Sequence, residues 1–242
     1  MNLTIDIGNT RVKAAVFKKD TLQDLFIFKK SKIISEIKKI TKSYKIEAAM
    51  LSSVSKIPDK NLEKLKELIP TSVVSDELNT PFKNLYSTPK TLGVDRIALV
   101  FGAVAKYPLH NVLVIDAGTC ITFDFVNKEH QYLGGAISPG IAMRYKALNK
   151  FTANLPLLKA EIPLNFVGDS TKQSINSGVV NGVVQEIDGV IQQYKNKYCD
   201  LTVVLTGGDT NFLSKQLKSS IFANQNFLLE GLNEILIFNK DE

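Results

Sequence analysis

The 242-residue sequence predicts an α/β protein with two similar halves, each built on a mixed β-sheet flanked by helices. The first reason is an internal repeat: residues 3–10 resemble residues 113–120, and the 110-residue offset is about the length of one domain. The second is hydrophobic spacing that alternates between strand-like runs and helical stripes. The third is a hydrophobic content of 44%, which is enough for a buried core and argues against disorder.

The first half opens with a β-meander and continues with helices and further strands. Its first strand ends at Asp6-x-Gly8, and its last helix ends near Pro108, so we predict domains at 1–108 and 109–242. The remaining elements, in chain order, are strands at Val12–Phe17 and Leu22–Phe28, a helix carrying Ile33, Ile34, Ile37 and Ile40, a strand at Ala48–Val54, a short helix carrying Leu62, Leu65 and Leu68, and a helix from Gly93 with Ile97, Val100, Phe101 and Val104 on one face.

The second half repeats this order. Strands are predicted at Leu113–Ala117, Ile121–Val126, Tyr132–Ile137 and Leu201–Leu205. Ser138-Pro139 is typical of an N-cap followed by proline at the first helical position. A long helix is predicted from Thr171 to Lys195, with an apolar stripe formed by Ile175, Val179, Val183, Ile187 and Val190.

Charge and cysteine content narrow the classes of function. The net charge of +6 comes from scattered lysines without interleaved aromatic residues, which favours a solvated surface over nucleic-acid binding. Cys120 and Cys199 form neither a disulfide framework nor a metal-ligand pattern, and their sparseness suits a reducing compartment. The chain has no apolar run of membrane-spanning length and no signal-peptide pattern at its start. We therefore expect a cytoplasmic protein that binds neither nucleic acid nor membrane.

The turn after the first strand has the composition of a phosphate-binding loop. Glycine lets the backbone approach a bound group, and backbone N–H groups together with Asn9 and Thr10 can bind phosphate oxygens. Asp6 fits beside a phosphate if Mg²⁺ lies between them, usually through water, while Lys13 can reach a phosphate as a point charge. The alternative is an ordinary hairpin with a polar turn.

The second copy of this turn, Asp116-Ala117-Gly118-Thr119, favours the functional interpretation over the ordinary hairpin. Two such turns, one in each half, predict a cleft in which the phosphates of a nucleotide are held from both sides. Thr206-Gly207-Gly208-Asp209 follows a strand and opens a helix, and its glycines would allow a ring or sugar to approach the backbone. Its alternative is an ordinary turn in which Asp209 is the N-cap.

The order of these turns resembles that of the superfamily of actin, the 70-kDa chaperones and the sugar and acetate kinases. The sequence is more specifically similar to the type III pantothenate kinases, through motifs that follow in the same order over nearly the whole chain. Cys120 departs from the alanine that is common in that family. The matching motifs are Asp6-x-Gly8-Asn9-Thr10-x-x-Lys13, Gly93-Val94-Asp95-Arg96, Asp116-x-Gly118-Thr119, Gly134-Gly135-x-Ile137-x-Pro139-Gly140 and Thr206-Gly207-Gly208.

This resemblance implies two ribonuclease-H-like domains of the actin type, with the active-site cleft between them. It implies a homodimer that uses ATP with Mg²⁺ and a monovalent cation, K⁺ or NH₄⁺, to phosphorylate pantothenate in the first step of coenzyme A synthesis. Asp95 matches the general base, and Asp116 matches the monovalent-cation site. The implied ATP contacts are Asp6, Ile7, Gly8, Asn9, Thr10, Arg11, Val12, Lys13, Thr119, Gly207 and Gly208, and the implied pantothenate contacts are Tyr86, Gly93, Val94, Asp95, Arg96 and Thr171.

Each implied role has a structural alternative. Asp95 and Arg96 fit a helix start beside a surface ion pair, Tyr86 fits a half-buried core, and Thr171 fits an N-cap or a first helical turn. At the level of function, the alternatives are another small-molecule kinase, such as a sugar kinase, and a non-catalytic regulator on the same scaffold.

Overall fold

The computed structural model describes residues 1–53, 58–75 and 78–240, and the chain forms two compact units. The first unit comprises Met1–Leu109, Lys128–Leu133 and Asn226–Glu242. The second comprises His110–Asn127 and Gly134–Gln225. Two segments from the second half of the sequence therefore belong to the first unit, and one of them is at the C-terminus.

The first unit contains a mixed sheet of five strands, which are β1 (Asn2–Ile7), β2 (Val12–Lys18), β3 (Thr21–Phe28), β4 (Ala48–Ser53) and β5 (Thr71–Val73). Their order across the sheet is β3-β2-β1-β4-β5. The first three strands form an antiparallel meander, whereas β4 runs parallel to both β1 and β5. The predicted meander is confirmed, and of the predicted strand Ala48–Val54 only Val54 lies outside the described residues.

Two helices cover one face of this sheet, α1 (Ile33–Ser43) and α2 (Asp59–Leu68). α1 leads from β3 across the sheet to β4, and α2 joins β4 to its parallel neighbour β5, because a tight turn cannot join parallel strands. The predicted isoleucine stripe of α1 is confirmed, since Ile33, Ile37 and Ile40 are buried in the same core cluster as Leu3 and Ile5 of β1.

Two further helices of the first unit, α3 (Val94–Lys106) and α8 (Phe227–Phe238), pack against each other. A Cβ on Gly102 would lie 3.1 Å from the Cα of Gly231, so the helices meet backbone to backbone. Asn233 of α8 accepts a hydrogen bond of 2.9 Å from the side-chain amide of Asn2 on β1. The C-terminal helix thereby supports the strand that ends at the first Asp-x-Gly turn.

The second unit contains strands β7 (Asn111–Ala117), β8 (Cys120–Val126), β10 (Leu201–Thr206), β11 (Phe222–Ala223) and all but the first three residues of β9 (Gln131–Pro139). Their order, β11-β10-β7-β8-β9, repeats the order of the first sheet. β7 is antiparallel to β8 and parallel to β10, as β1 is to β2 and β4. The repeat predicted from the sequence is therefore confirmed at the level of strand order. The short strand β6 (Lys83–Asn84) belongs to the first unit, where it pairs with Gln131 and Tyr132.

The helices of the second unit are α4 (Ile141–Lys150), α5 (Thr171–Asn176), α6 (Gly182–Lys197) and α7 (Thr210–Leu213). The predicted long helix is present but interrupted, because residues 177–181 form a turn of π-helix between α5 and α6. The predicted cap at Ser138-Pro139 is wrong, since Pro139 is the last residue of β9 and Gly140 is the N-cap of α4. Sheet pairing keeps this proline extended. None of the helices in the described ranges is long and apolar enough to cross a membrane.

Candidate active site

The turn between β1 and β2 places charged and polar groups at neighbouring positions of the first sheet. Asp6 pairs in register with Lys13 on β2 and with Ser52 on β4. Paired residues on neighbouring strands project from the same face, so Lys13 and Ser52 flank Asp6 on its two sides. The amide N–H of Gly8 donates to the carbonyl oxygen of Arg11 over 3.1 Å and closes the turn.

The remaining residues predicted to contact ATP in this turn fall into two groups. The side chains of Asn9, Thr10 and Arg11 are exposed, so they are available to a ligand. Ile7 and Val12 are buried in the core beneath them. These two apolar residues can therefore contribute to nucleotide binding only through their backbone.

The carboxyl group of Asp6 has a raised pKa. Burial raises its pKa from the ordinary value of 3.8 to about 7; the charge of Asp95 adds to the rise, and the ammonium group of Lys13 opposes it. Asp95, at the start of α3, is therefore near enough to the first turn for its charge to act on Asp6. The first unit thus brings three of the predicted site residues together. A bound cation would relieve the repulsion between these two carboxylates.

The start of α3 is shaped around the carboxylate of Asp95. Gly93 is the N-cap, Val94 is the first helical residue, and Asp95 lies in the first turn. The amide N–H of Arg96 donates to Oδ1 of Asp95 over 2.9 Å. A Cβ on Gly93 would collide with that same oxygen. Glycine therefore leaves the space that the carboxylate occupies, at a helix end whose dipole favours negative charge.

Arg96 and Tyr86, both predicted to bind pantothenate, form one cluster. Arg96 is only 5% exposed, and its guanidinium carbon lies 5.5 Å from the ring centroid of Tyr86. Tyr86 stacks on the buried ring of Tyr132, with 6.1 Å between centroids and 17° between planes. Side-chain Oδ1 of Asn84 accepts a hydrogen bond of 3.0 Å from the amide of Tyr86. These contacts orient the half-buried tyrosine beside the arginine.

The β7–β8 turn repeats the geometry of the first turn in the second unit. Asp116 pairs in register with Thr122 on β8 and with Thr206 on β10. The amide of Gly118 donates to the carbonyl oxygen of Cys120 over 2.9 Å, and the side chain of Thr119 is exposed at the tip of the turn. Thr119 is therefore accessible to a ligand, as predicted for an ATP contact.

The turn after β10 is docked on the end of β7. Gly207 has a φ of +97°, and a Cβ there would collide with the Asp116 carboxylate and the Ala117 carbonyl. The amide of Asp209 donates to the carbonyl oxygen of Ala117 over 2.9 Å. Gly208 is exposed with open space around its Cα, so a flat group can approach its backbone.

Asp209 occupies the N-cap position of α7, which was the structural alternative for this turn. Its side chain nevertheless makes no capping hydrogen bond to the described residues of the helix. Burial raises the pKa of this carboxyl group. Capping by its side chain therefore does not explain the turn.

Gly140, from the Gly-Gly-x-Ile-x-Pro-Gly loop, packs against the β7–β8 turn. Its amide donates to the carbonyl oxygen of Thr119 over 3.1 Å, and a Cβ there would collide with the carbonyls of Gly118 and Thr119. Arg144, one turn into α4, secures this loop. Its Nε donates to the carbonyl oxygen of Pro139 over 2.8 Å, and a terminal nitrogen bonds Ser138 Oγ and Glu186 of α6.

Thr171 lies in the second unit on the wall of an apolar groove of about 1170 Å³. Ser170 is the N-cap of α5, because its Oγ accepts a hydrogen bond from the amide of Gln173. Thr171 is the first helical residue, and its side chain is exposed to the groove. Its side chain is therefore accessible to a ligand, although its helical position also matches the structural alternative.

The donor groups of both turns suit cations that arrive with a nucleotide. Within residues 1–53, 58–75 and 78–240, no three histidine, cysteine, aspartate or glutamate side chains form a group that could hold a metal ion by themselves. Mg²⁺ bound to a nucleotide needs only one or two carboxylates, because phosphate and water complete its coordination. Asp6 and Asp116 each end a strand beside a glycine turn and present such a carboxylate.

Sequence reasoning missed Ser52 and Thr122 as neighbours of the two aspartates, and it placed Thr206 in the glycine turn rather than at the end of β10 beside Asp116. Ser52 and Thr122 lie in strands that the sequence predicts, but the residues they pair with depend on strand register. The signal available in the sequence was the repeat itself. Aligning the halves at the fixed offset of 110 residues places Lys13 opposite Phe123, whereas the observed pairing places Thr122 in the position of Lys13.

Comparisons with known proteins agree with this geometry. Residues 2–193 match the family model described as type III pantothenate kinase. The type III pantothenate kinase of Christiangramia forsetii is 51% identical over 244 aligned residues, which cover 100% of both chains. The family model covers most of the chain, and the alignment with this relative covers all of it.

Two solved structures share the fold. A protein from Campylobacter jejuni described as a conserved Baf family transcriptional activator has a TM-score of 0.68 at 22% identity, covering 99% of this chain and 100% of that one. A ROK family glucokinase from Streptomyces griseus has a TM-score of 0.54 at 11% identity, covering 100% and 99%. The predicted kinase-type α/β fold is therefore confirmed. With a family model over most of the sequence and a relative at 51% identity over its full length, the chain belongs to the type III pantothenate kinase family.

Proposed function

We propose that this protein transfers the γ-phosphoryl group of ATP to the primary hydroxyl of pantothenate, forming 4′-phosphopantothenate in the first step of coenzyme A synthesis. Family membership carries the choice of substrate. The structural observation that supports the chemistry is the Asp95 carboxylate, held at the start of α3 by the Arg96 amide and the space at Gly93, with its charge acting on Asp6.

ATP is held mainly through backbone groups and short polar side chains in this proposal. The residues Asp6–Lys13 surround the phosphates, with Asn9 and Thr10 offering side-chain hydrogen bonds and Lys13 a positive charge. Thr119 adds a contact from the second turn. Gly207 and Gly208 give the adenosine access to the backbone.

Asp6 would hold Mg²⁺ through water, and Asp116 would hold the monovalent cation. The cations supply neutralisation of the phosphate charge, on which phosphoryl transfer depends. Their presence would also favour the ionised form of Asp6, against the burial that raises its pKa to about 7.

Asp95 accepts the proton of the pantothenate hydroxyl and orients that oxygen toward the phosphorus. Arg96 binds the carboxylate of pantothenate, because its planar guanidinium group can engage two oxygens. Tyr86 packs beside Arg96, Gly93 and Val94 shape the adjoining helix start, and Thr171 provides a further contact. Positioning and charge neutralisation account for most of the rate, as expected for phosphoryl transfer.

The test is ADP formation with ATP, Mg²⁺ and K⁺, with and without pantothenate, for the wild type and Asp95→Asn. We expect pantothenate to trigger turnover and the substitution to lower kcat by about 10²–10⁴-fold, the usual contribution of a general base. Asp59→Asn is the matched control, because Asp59 is exposed in the first turn of α2. Equal losses in both variants would contradict the assignment of Asp95.

The same assay separates the alternatives. Turnover with a sugar but not with pantothenate would indicate a sugar kinase. ATP binding without turnover on any small alcohol would indicate a non-catalytic regulator. The structural likeness to a protein described as a transcriptional activator lies under 25% identity and concerns the fold alone.

We further propose a homodimer, and a cytoplasmic location in keeping with the two free cysteines. Gly178, Gly182 and Gly189 are exposed on the helical segment from residue 177 to 197, and a Cβ at any of them would meet no described atom within 4 Å outside the helix's own backbone. Nearby chain segments expose apolar side chains, including Phe151, Leu164 and Phe166 at 79%, 82% and 84%. Exposed apolar surface of this kind typically marks an interaction site.

A further inference from the structure

The two sheets carry equivalent rows of three residues at the ends of their first strands. In each row an aspartate on the central strand is paired with a hydroxyl-bearing residue on its parallel neighbour. The antiparallel neighbour contributes the third member. The rows are Ser52, Asp6 and Lys13 in the first unit and Thr206, Asp116 and Thr122 in the second.

The hydroxyl groups of these rows are buried without hydrogen-bond partners among the described residues. Ser52 and Thr206 are 0% and 1% exposed, and Oγ of the first and Oγ1 of the second lack a partner. Thr122 Oγ1 is also buried and lacks one. A buried, unsatisfied hydroxyl costs about 1–3 kcal/mol. Two of them flanking Asp116 therefore indicate a ligand that uses their oxygens.

The rows differ at the antiparallel position. Lys13 places an ammonium group there, and its charge acts on Asp6. Thr122 places a neutral oxygen at the equivalent position beside Asp116. The remaining side of the Asp116 carboxylate is closed by the backbone of Gly207, where a Cβ would collide with Oδ1. At this position the second row therefore has a neutral hydroxyl oxygen that can bind a cation, whereas the first row has the positive charge of Lys13.

We infer that Thr206 Oγ1 and Thr122 Oγ1 are ligands of a monovalent cation together with the carboxylate of Asp116, and that this cation takes the place of the Lys13 ammonium group of the first unit. This inference rests on the proposed function, which assigns the cation to Asp116. One carboxylate with neutral hydroxyl oxygens suits a weakly charged ion, whereas Mg²⁺ retains most of its waters and binds through carboxylates and phosphates.

The test measures the melting temperature against KCl, with and without ADP, at an ionic strength held constant by choline chloride. Thr206→Val and Thr122→Val remove each hydroxyl at nearly constant volume. In K⁺-free buffer we expect both variants to melt at or above the wild-type temperature, because an unsatisfied hydroxyl is lost. In KCl we expect the wild type to gain stability, and the half-maximal KCl concentration to rise at least about tenfold in the variants.

Thr202→Val is the matched control, since Thr202 lies on the same strand but away from the row, and its K⁺ response should match the wild type. Thr206→Ser retains the oxygen and should restore the response. Valine variants that respond to K⁺ like the wild type would overturn the inference. A wild type that responds to MgCl₂ but not to KCl would overturn it as well.

A charge replacement provides a second, independent test. Thr122→Lys copies the first row into the second, so the melting temperature should no longer depend on KCl; a retained wild-type response would contradict the inference.

Pantothenate-dependent ADP formation is measured on the same samples. If the wild type turns over but its melting temperature does not depend on K⁺, the cation site is rejected and the proposed function stands. If its melting temperature depends on K⁺ but it does not turn over, the proposed function is rejected and the cation site stands.

Discussion

At the scale of single residues, Asp6 shows a conflict between stability and its proposed task. Its folded pKa of about 7 lies above the ordinary 3.8, so the unfolded chain releases this proton first as the pH rises. The stability that the protonated form retains below pH 4 is therefore lost between about pH 4 and 7. A buried carboxylate that costs stability is expected at a functional position.

We expect Asp6→Asn to stabilise the ligand-free protein by about 2–4 kcal/mol at pH 8 and to have little effect at pH 4.5. Asparagine does not ionise, so the loss of folding stability between about pH 4 and 7 disappears. Urea unfolding at the two pH values measures the difference, and the exposed Asp59→Asn serves as control. The prediction fails if the advantage of the variant is equal at both pH values. Turnover should fall at the same time, since Asp6 is proposed to hold Mg²⁺.

Gly93 is a second residue at which a single atom decides the geometry. A Cβ on Gly93 would collide with Oδ1 of Asp95, although the φ of −61° at this position suits alanine. We expect Gly93→Ala to displace the carboxylate and lower kcat by about 10²-fold, with the melting temperature unchanged or slightly higher. Gly189→Ala, at an open helical position, should leave kcat unchanged. A Gly93→Ala enzyme with wild-type turnover would show that the position of the Asp95 carboxylate is not critical.

At the scale of secondary-structure elements, Arg144 connects the end of β9, the start of α4 and the side of α6. The loop that it secures contains Gly140, whose backbone touches Thr119. Arg144 therefore acts on the proposed ATP contact through the position of a loop.

We expect Arg144→Ala to destabilise the protein by about 1–2 kcal/mol and to raise the KM for ATP more than the KM for pantothenate. Glu186→Gln, which removes the negative charge of the ion pair but keeps an acceptor oxygen, should have the same pattern with a smaller amplitude. Steady-state kinetics with each substrate varied in turn, alongside urea unfolding, measures both effects. Arg144→Lys should recover part of the ATP affinity. Equal rises in both KM values would indicate general loosening of the fold instead.

At the scale of the whole molecule, the exposed glycine face of the segment 177–197 leads to a prediction about assembly. Light scattering should give the mass of two chains at working concentrations. Gly182→Arg, at a position where a Cβ would meet no described atom within 4 Å outside the helix's own backbone, should shift the mass toward one chain by blocking close helix approach. Gln192→Arg, at an exposed position on the same helix, is the control. A single-chain mass for the wild type would contradict the dimer.

Much of the architecture follows from local patterns in the sequence. The two meanders, the isoleucine stripe of α1 and the repeat of the Asp-x-Gly turns were predicted from spacings of a few residues, and the structure confirms them. The predicted helix N-cap at Ser138-Pro139 was wrong because sheet formation overrode this local preference. The dipeptide favours a helix start, but the residues up to Pro139 belong to β9, which lies between β8 and β6 in the sheet.

The sequence by itself determined the fold class, the repeated turns and the motifs that identify the family, because these signals lie within short stretches of chain. Only the tertiary structure decided which residues meet: the row Thr206–Asp116–Thr122, the Arg144 contacts and the return of α8 to the first unit. Between the last paired residues of the two strands, the turn has four residues in the first unit (8–11) and three in the second (118–120), so a fixed offset misaligns their second strands by one position. Strand register and long-range packing arise from the free energy of the whole core, which no local pattern contains.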